Sequence, residues 1–371
     1  MAKKNILNLS FDELERELSD KIDFKYRTSQ IFHSLHDKLI FDFRKFLNVP
    51  EKIRNYLEEN FEFPYFRNIT VSDSKDNTKK FLFEITDKSS RKSDKFRIET
   101  VLIPEGERKT ICVSTQVGCN VGCEFCATGK MGLLKNLDVS EILLQVYNVI
   151  LITAEKPTNL VFMGMGEPFL NYENLISALK ILTDTRGLAI PSRRITVSSV
   201  GLKGRIKKFA DDLVKNENSS IKNIKFALSL HSTNQGIRDS IIPISRTNKL
   251  SVLYEELIYF YRKTKNKITY EYIFFPGIND EDDDISRLIK LSRMLPCNIN
   301  IIPFHPIGFN MKPPLDMLKY PEGKHNSLLI NKLNYFINRL KSKKVVINLR
   351  TSSGVDINAA CGQLATKYQN L

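Results

Sequence analysis

Tryptophan is absent from the 371 residues, and only six cysteines and five histidines are present. Any stacking on nucleobases therefore falls to the 23 phenylalanines and 13 tyrosines. No apolar run reaches the roughly 18 residues of a membrane span. The stretch Glu141-Ile-Leu-Leu-Gln-Val-Tyr-Asn-Val-Ile-Leu-Ile is interrupted by polar side chains and reads as a buried helix. The chain opens Met1-Ala-Lys-Lys without a basic segment, an apolar segment and a cleavage site in series, so a reducing cytoplasm is expected rather than secretion. The cysteines, at 112, 119, 123, 126, 297 and 361, include three packed too tightly for an evenly spaced disulfide framework. With 42% hydrophobic and 26% charged residues the composition is that of a folded soluble chain, not a disordered one.

What the chain has in excess is positive charge, +14 with a pI near 9.3. Lysine and arginine at that density suit a polyanionic partner, because neutralising phosphates releases counterions. Basic side chains spread over solvated faces give the same sum. Clusters stand at Arg91-Lys92 with Lys95 and Arg97, at Arg193-Arg194, at Lys203 with Arg205, Lys207 and Lys208, and at Lys341 with Lys343 and Lys344.

The length permits one large core with a smaller appendage. Ser10-Phe-Asp-Glu13 is a capping box, with Leu9 and Leu14 placed as a hydrophobic staple, and further helical patterns cover 27–37 and 50–60. Lys79-Lys-Phe-Leu-Phe-Glu-Ile and Arg97-Ile-Glu-Thr-Val-Leu-Ile read as strands around a polar turn at 87–94. Residues 1–95 are therefore expected to form a small helical domain plus a β-hairpin, 96–345 the core, and 346–371 a C-terminal tail.

In the core, Ile111-Cys-Val-Ser-Thr, Leu160-Val-Phe-Met, Arg194-Ile-Thr-Val-Ser, Lys225-Phe-Ala-Leu-Ser-Leu, Ile268-Thr-Tyr-Glu-Tyr-Ile and Asn298-Ile-Asn-Ile-Ile read as strands separated by segments of helix length. Six strands each followed by a helix predict an α/β fold, a parallel barrel or a doubly wound sheet. Either would place a site at the carboxyl ends of the strands.

Chemistry concentrates there. The run Cys119-Asn-Val-Gly-Cys123-Glu-Phe-Cys126, followed by Ala127-Thr-Gly129-Lys-Met-Gly132, sets three thiols in one short loop. A cubane held wholly by protein takes four cysteines, so three leave one iron open for a ligand. The same residues suit a zinc site with a fourth ligand from Cys112 or a histidine. After the second strand, Met163-Gly-Met-Gly166-Glu167-Pro168 combines close backbone approach with a carboxylate that could accept from an ammonium or a ribose. Ser198 ends the third strand. Ser229-Leu230-His231 ends the fourth, and strand alternation would turn Ser229 and His231 to one face. A histidine there also suits a purely structural role.

These residues carry a resemblance. The cysteine run, with Phe125 at its aromatic position, resembles the C-x3-C-x-Φ-C signature of the radical S-adenosylmethionine (SAM) enzymes. Ile98-Glu99-Thr-Val-Leu-Ile-Pro104, Cys112-Val-Ser-Thr-Gln-Val-Gly-Cys119, Gly-Met-Gly-Glu-Pro, Ser-Leu-His and Asp356-Ile-Asn-Ala-Ala-Cys361-Gly-Gln-Leu together resemble the RlmN family of 23S rRNA and tRNA adenine methyltransferases. The resemblance implies a partial (βα)6 radical SAM barrel over 96–345 and an N-terminal module that positions RNA. It implies a 4Fe-4S cluster on Cys119, Cys123 and Cys126, and SAM bound by Gly166, Glu167, Ser198, Ser229, Leu230 and His231. His305 stands where the family usually has an asparagine ligand, and Asn358 where it commonly has aspartate.

The resemblance also implies two SAM molecules per turnover. One methylates Cys361. The second yields a radical that takes hydrogen from the methyl group, and the resulting carbon radical adds to the unactivated C2 of adenine. Cys112 would then resolve the protein–RNA adduct through a transient disulfide with Cys361, and Glu99 would accept a proton. Alternatives for these three are a buried apolar thiol, an inert loop cysteine and a strand glutamate facing water. Cys297 has no matching motif.

The implied partners are 23S rRNA, tRNA at the adenosine 3′ to the anticodon, and a flavodoxin-type electron donor, with a monomeric enzyme and no membrane. Cfr-like methylation of C8 on the same rRNA adenine is the runner-up, and a non-catalytic iron–sulfur RNA-binding protein the more distant alternative.

Overall fold

The computed structural model describes residues 3–21, 26–86, 95–216, 219–318 and 327–365. The helices α1 (Phe11–Leu18), α2 (Tyr26–His36) and α3 (Glu51–Asn60) open the chain, with a two-residue parallel bridge between β1 (Lys4–Asn5) and β2 (Phe61–Glu62). The capping box forms: Glu13 accepts from the Ser10 N–H at 2.8 Å and from its hydroxyl at 2.6 Å. Leu14 is buried and Leu9 packs against the same core. This module shares one hydrophobic core with the rest of the protein. The Arg186 guanidinium lies 3.2 Å from the centroid of Phe11, and His36 Nδ1 is 2.7 Å from the Tyr147 hydroxyl.

The strands β3 (Ile69–Asp73), β4 (Lys79–Thr86), β5 (Lys95–Glu105) and β6 (Arg108–Cys112) pair antiparallel in succession. The predicted polar turn at 87–94 lies outside the described residues. The strands β7 (Gln116–Cys119) and β8 (Gly132–Asn136) form a separate pair around the short helix α4 (Ala127–Lys130). From β6 the main sheet continues, all parallel, through β9 (Asn159–Phe162), β10 (Ile195–Ser199), β11 (Lys225–Ser229), β12 (Ile268–Phe274), β13 (Cys297–Pro303) and β14 (Ile347–Leu349).

The crossovers carry α5 (Val139–Thr153), α6 (Tyr172–Thr183), α7 (Arg205–Leu213), α8 (Gln235–Ile241) with α9 (Leu250–Thr264), α10 (Asp282–Met294) and α11 (Ser327–Ser342). Helix α5 is the buried helix foreseen from its interrupted apolar run. Its polar Gln145 is paid for by partners, accepting from the Thr100 hydroxyl at 2.7 Å and the Ser114 N–H at 2.8 Å. No helix of the described residues is long and apolar enough to cross a membrane.

All six predicted core strands are present, and β14 adds a seventh. The strands β3 to β5 extend the same ten-stranded sheet. Thr110, Val161, Thr196, Lys225, Thr269, Asn298 and Asn348, one from each parallel strand from β6 to β14, line a single cavity of about 1230 Å³. A flat sheet could not bring its first and last strands to one space, so the sheet curls into a partial barrel with an open interior.

Candidate active site

Cys119 closes β7, Cys123 lies in the following loop and Cys126 immediately precedes α4. The Cys126 N–H donates to the Cys123 carbonyl at 3.2 Å, and the Gly129 N–H to the Cys126 carbonyl at 3.1 Å. A Cβ at Gly129 would lie 2.9 Å from the Cys123 nitrogen, so only glycine lets the loop coil this tightly. Phe125 seats the loop on the carboxyl ends of the strands, with its ring edge-on to His231 at 4.8 Å and 5.7 Å from Phe275.

The three cysteines line a cavity of about 140 Å³ together with Gly166, Glu167, Ser198, Ser229 and His231. Burial pushes the Cys119 thiol up to about 12 and the Cys123 thiol well above its ordinary value. Desolvated thiols grouped in this way fit a metal–sulfur group, whose cations replace their protons. Among the described residues no three His, Cys, Asp or Glu side chains are set to hold one ion together. Three thiols of one short loop on one cavity fit a cubane, which binds each cysteine through a different iron.

Gly166 follows β9 at φ +101°, and a Cβ there would come 2.6 Å from Gln116 Cβ. Glu167 is buried; its Oε1 accepts from the Phe169 N–H and its Oε2 from the Val200 N–H, each at 3.0 Å. Burial raises its carboxyl against those two bonds. The Ser198 and Ser229 hydroxyls are 3.2 Å apart. His231 reaches the cavity by a different route from the alternation expected of it. It lies beyond the end of β11 with φ +52°, a left-handed turn. Its Nδ1 accepts from the Ile273 N–H at 3.1 Å, which leaves the ring proton on Nε2. Burial, with Arg238 nearby, pushes it down to about 3, so the ring is neutral.

Two further candidates stand outside both cavities. The Leu230 side chain is fully buried in the core, and only its backbone takes part locally, its N–H donating to the Glu271 carbonyl at 3.0 Å. His305 lines neither cavity. Two residues past β13 the chain has left the sheet, and Ser352 captures the imidazole at 2.5 Å. From β13 it is Ile302 that reaches both cavities.

The larger cavity brings Cys112, at the end of β6, together with Cys361 across 249 sequence positions. Cys361, Cys126, Glu271 and Arg350 border both cavities. Burial pushes Cys112 up to about 12, with Cys361 adding to the rise and Arg350 opposing it. The surrounding protein also raises Cys361, again against Arg350, although solvent reaches this residue through the cavity. Arg350 Nη1 stands 3.7 Å from the buried Glu271 carboxylate, which accepts from Asn300 Nδ2 at 2.8 Å.

Glu271, Arg350 and Arg238 escaped the sequence reading. Glu271 left a signal, a carboxylate between aromatic residues in an otherwise apolar strand. Buried Arg238 donates to the carbonyls of Val200 at 2.6 Å and of Leu230 and Ser229 at 3.1 Å, which fixes the strand ends beneath the cysteine loop.

Glu99 does not face water. It is buried in β5 with Oε1 3.1 Å from Lys80 Nζ, and it lines neither cavity. Of the basic clusters, Arg193 lies at the rim of the large cavity with Arg108, Lys225 and Lys267. The cluster on α7 is a solvated face, with Lys208 paired to Glu173 and Asp212 and Lys207 over the Tyr259 ring. Cys297 is buried at the start of β13.

A model of the radical SAM superfamily matches residues 113–289. A probable dual-specificity RNA methyltransferase RlmN of Flavobacterium psychrophilum is 37% identical over 371 residues, covering 99% of each chain. The corresponding protein of Staphylococcus saprophyticus is 36% identical over all of this chain and 94% of its own. The crystal structure of a radical SAM methyltransferase from Sphaerobacter thermophilus superposes with a TM-score of 0.81 at 34% identity, over 97% of this chain and 99% of that one. The chain belongs to the RlmN family within the radical SAM superfamily.

Proposed function

We propose that the protein is an RNA methyltransferase that methylates C2 of an adenosine, in the peptidyl-transferase centre of 23S rRNA and 3′ to the anticodon in tRNA, with Cys361 as methyl carrier. The observation that carries this reading is the position of Cys361, which borders both the cavity of the three cysteines and the larger one that contains Cys112. The names of the full-length relatives support RNA as the substrate.

Cys119, Cys123 and Cys126 would hold a 4Fe-4S cluster, which together with SAM would supply the one-electron chemistry that an unactivated carbon requires. Gly166 borders the cavity with its backbone packed close against Gln116, and Glu167, Ser198, Ser229 and His231 Nε2–H offer the ligand hydrogen-bonding groups. Cys361 is loaded by displacement: its thiolate bonds to the methyl carbon of one SAM, and S-adenosylhomocysteine leaves. A second SAM is consumed in each turnover. The Arg350 guanidinium favours the thiolates that loading and exchange need. Cys112 resolves the adduct: its thiolate bonds to the Cys361 sulfur as the bond from that sulfur to the methylene carbon breaks. The carbon keeps the electron pair and takes a proton to become the methyl group of the released base. Two electrons from a flavodoxin-type donor, with two protons, return both thiols. Glu99 serves as proton acceptor once its pair with Lys80 opens.

The target base must leave its stack to reach such a cavity. Arg108, Arg193, Lys225 and Lys267 at the rim hold the flanking phosphates, and the N-terminal module positions the RNA. The test is mass spectrometry of nucleosides from 23S rRNA and tRNA after anaerobic incubation with reconstituted enzyme, SAM and reductant. 2-Methyladenosine in both RNAs is expected. 8-Methyladenosine would move the assignment to C8, and no modified adenine with an intact cluster would overturn the reading.

A further inference from the structure

Cys361 is held from two sides. Downstream, the Gly362 carbonyl accepts from the Ala127 N–H at 2.7 Å, the Leu364 carbonyl from the Thr128 hydroxyl at 2.5 Å, and Gln363 Nε2 donates to the Pro306 carbonyl at 3.1 Å. That anchor is helix α4 of the cysteine loop, together with Pro306 past the end of β13. Upstream, the anchor is the turn between β3 and β4, more than 270 residues away in sequence.

The upstream contacts are reciprocal. Asp356, from the tail, accepts from the Ser74 hydroxyl at 2.5 Å and from the Lys75 N–H at 3.2 Å. Asp76, from the turn, accepts from the Gly354 N–H of the tail at 2.9 Å and from its own Thr78 N–H at 3.0 Å. Lys80 Nζ reaches the Asn358 carbonyl at 3.4 Å while paired with Glu99. Gly354 has φ +65°, and a Cβ there would lie 2.8 Å from Ala359 Cβ and 2.9 Å from Thr78 Cγ2. Asn358 also sits at positive φ, +53°, a conformation asparagine adopts more readily than most residues. Between the two anchors only residues 359–361 are left to span.

We propose that the β3–β4 turn is a clip that sets where Cys361 stands between the two cavities, with Asp76 and Asp356 as positioning residues. The proposal rests on Cys361 as methyl carrier. A free hairpin turn has no need of a remote aspartate, and a tail that only packed would not present one carboxylate while receiving another. Both carboxylates are held below their usual range: Asp356 chiefly by the Ser74 hydroxyl, and Asp76, against its burial, down to about 2 by the Gly354 and Thr78 N–H groups. Each stays charged as an acceptor at neutral pH. With the clip open, Cys361 is fixed at its downstream side alone. Misplacement of a reacting atom by about 1 Å costs on the order of 100-fold in rate.

The experiment compares the reconstituted wild-type holoenzyme with Asp356→Ala, Asp76→Ala and Asp356→Asn. Methyl occupancy of Cys361 is read by peptide mass spectrometry after incubation with SAM and reductant, and the rate of Cys361 alkylation by iodoacetamide is read on samples without SAM. Cluster absorbance and thermal unfolding are followed alongside. The alanine variants are expected to load Cys361 at least tenfold more slowly and to change its alkylation rate at least threefold, with cluster absorbance retained. Asp356→Asn, which keeps one acceptor oxygen, is expected to fall between and serves if an alanine variant does not fold. Equal loading and equal alkylation in wild type and variants would overturn the clip while leaving the carrier role standing. A wild type that never methylates Cys361 would overturn the carrier role, and alkylation alone would then decide the clip.

Discussion

At Cys361 two environments meet on one sulfur. Solvent and RNA would reach it from the large cavity, and the three-cysteine cavity opens on its other side. Arg350 is the cation that both Cys361 and Cys112 feel, and it opposes the burial that raises their thiols. Gly166→Ala tests the ligand side of the site. Its φ of +101° and the 2.6 Å approach to Gln116 Cβ leave no room for a methyl group. Strain of about 1–3 kcal/mol is expected, with loss of SAM binding measured by equilibrium dialysis on the reconstituted protein.

A second residue prediction concerns pH. His36 is buried in α2 and pushed down to about 3, chiefly by burial. Its folded value lies below the ordinary 6.5, so the unfolded chain takes up the proton first. The stability it preserves is complete above about pH 6.5 and is lost as pH falls, by about 1.4 kcal/mol per pH unit. His231 adds in the same direction. The unfolding free energy of His36→Phe should therefore depend less steeply on pH between 6 and 5 than that of the wild type. Equal slopes would contradict the assignment.

The cysteines were legible because tight spacing alone brings three thiols together. Arg238 and Arg350 were not, because an arginine in sequence shows nothing of the carbonyls or carboxylate it will meet after folding.

At the scale of elements, the parallel strands were legible from short β-branched and aromatic runs separated by helix-length segments. The strand β14 was missed because Ile347–Leu349 is three residues in a lysine- and asparagine-rich stretch, and only the edge of β13 makes it a strand. The placement of His305 outside both cavities was not legible for a related reason: the sequence marks the end of β13 but not the direction in which the chain leaves it.

The pair of Glu271 on β12 with Arg350, just past β14, ties that late strand to the centre of the sheet. Arg350→Met leaves the Glu271 carboxylate buried without its cation and is expected to cost about 3 kcal/mol in urea unfolding. The double variant Glu271→Gln/Arg350→Met should recover most of that loss. Additive losses would contradict the coupling.

For the whole molecule, a net charge of +14 gains meaning only through placement. Part of it is spent on α7 in pairs with neighbouring acids. Arg193, Lys225 and Lys267 ring the large cavity without an acidic partner among the described residues. Replacing any one of the three with alanine should weaken RNA binding and flatten the slope of log affinity against log salt by about 0.7. Filter binding across a salt series checks this, and an unchanged slope would take that residue out of the RNA contact. The solvated-face reading of the sequence thus holds for the α7 cluster, and the salt series tests the polyanion reading at the cavity rim.

The most direct test of the account follows one methyl group. Holoenzyme is loaded with methyl-deuterated SAM, freed of small molecules, and then given RNA with unlabelled SAM and reductant. The account predicts label on Cys361 and on none of the other five cysteines, and its transfer to adenosine when RNA is added, with Cys361→Ala inactive. Deuterium-free methyladenosine in the first turnover of fully loaded enzyme, or methylation by Cys361→Ala, would contradict it.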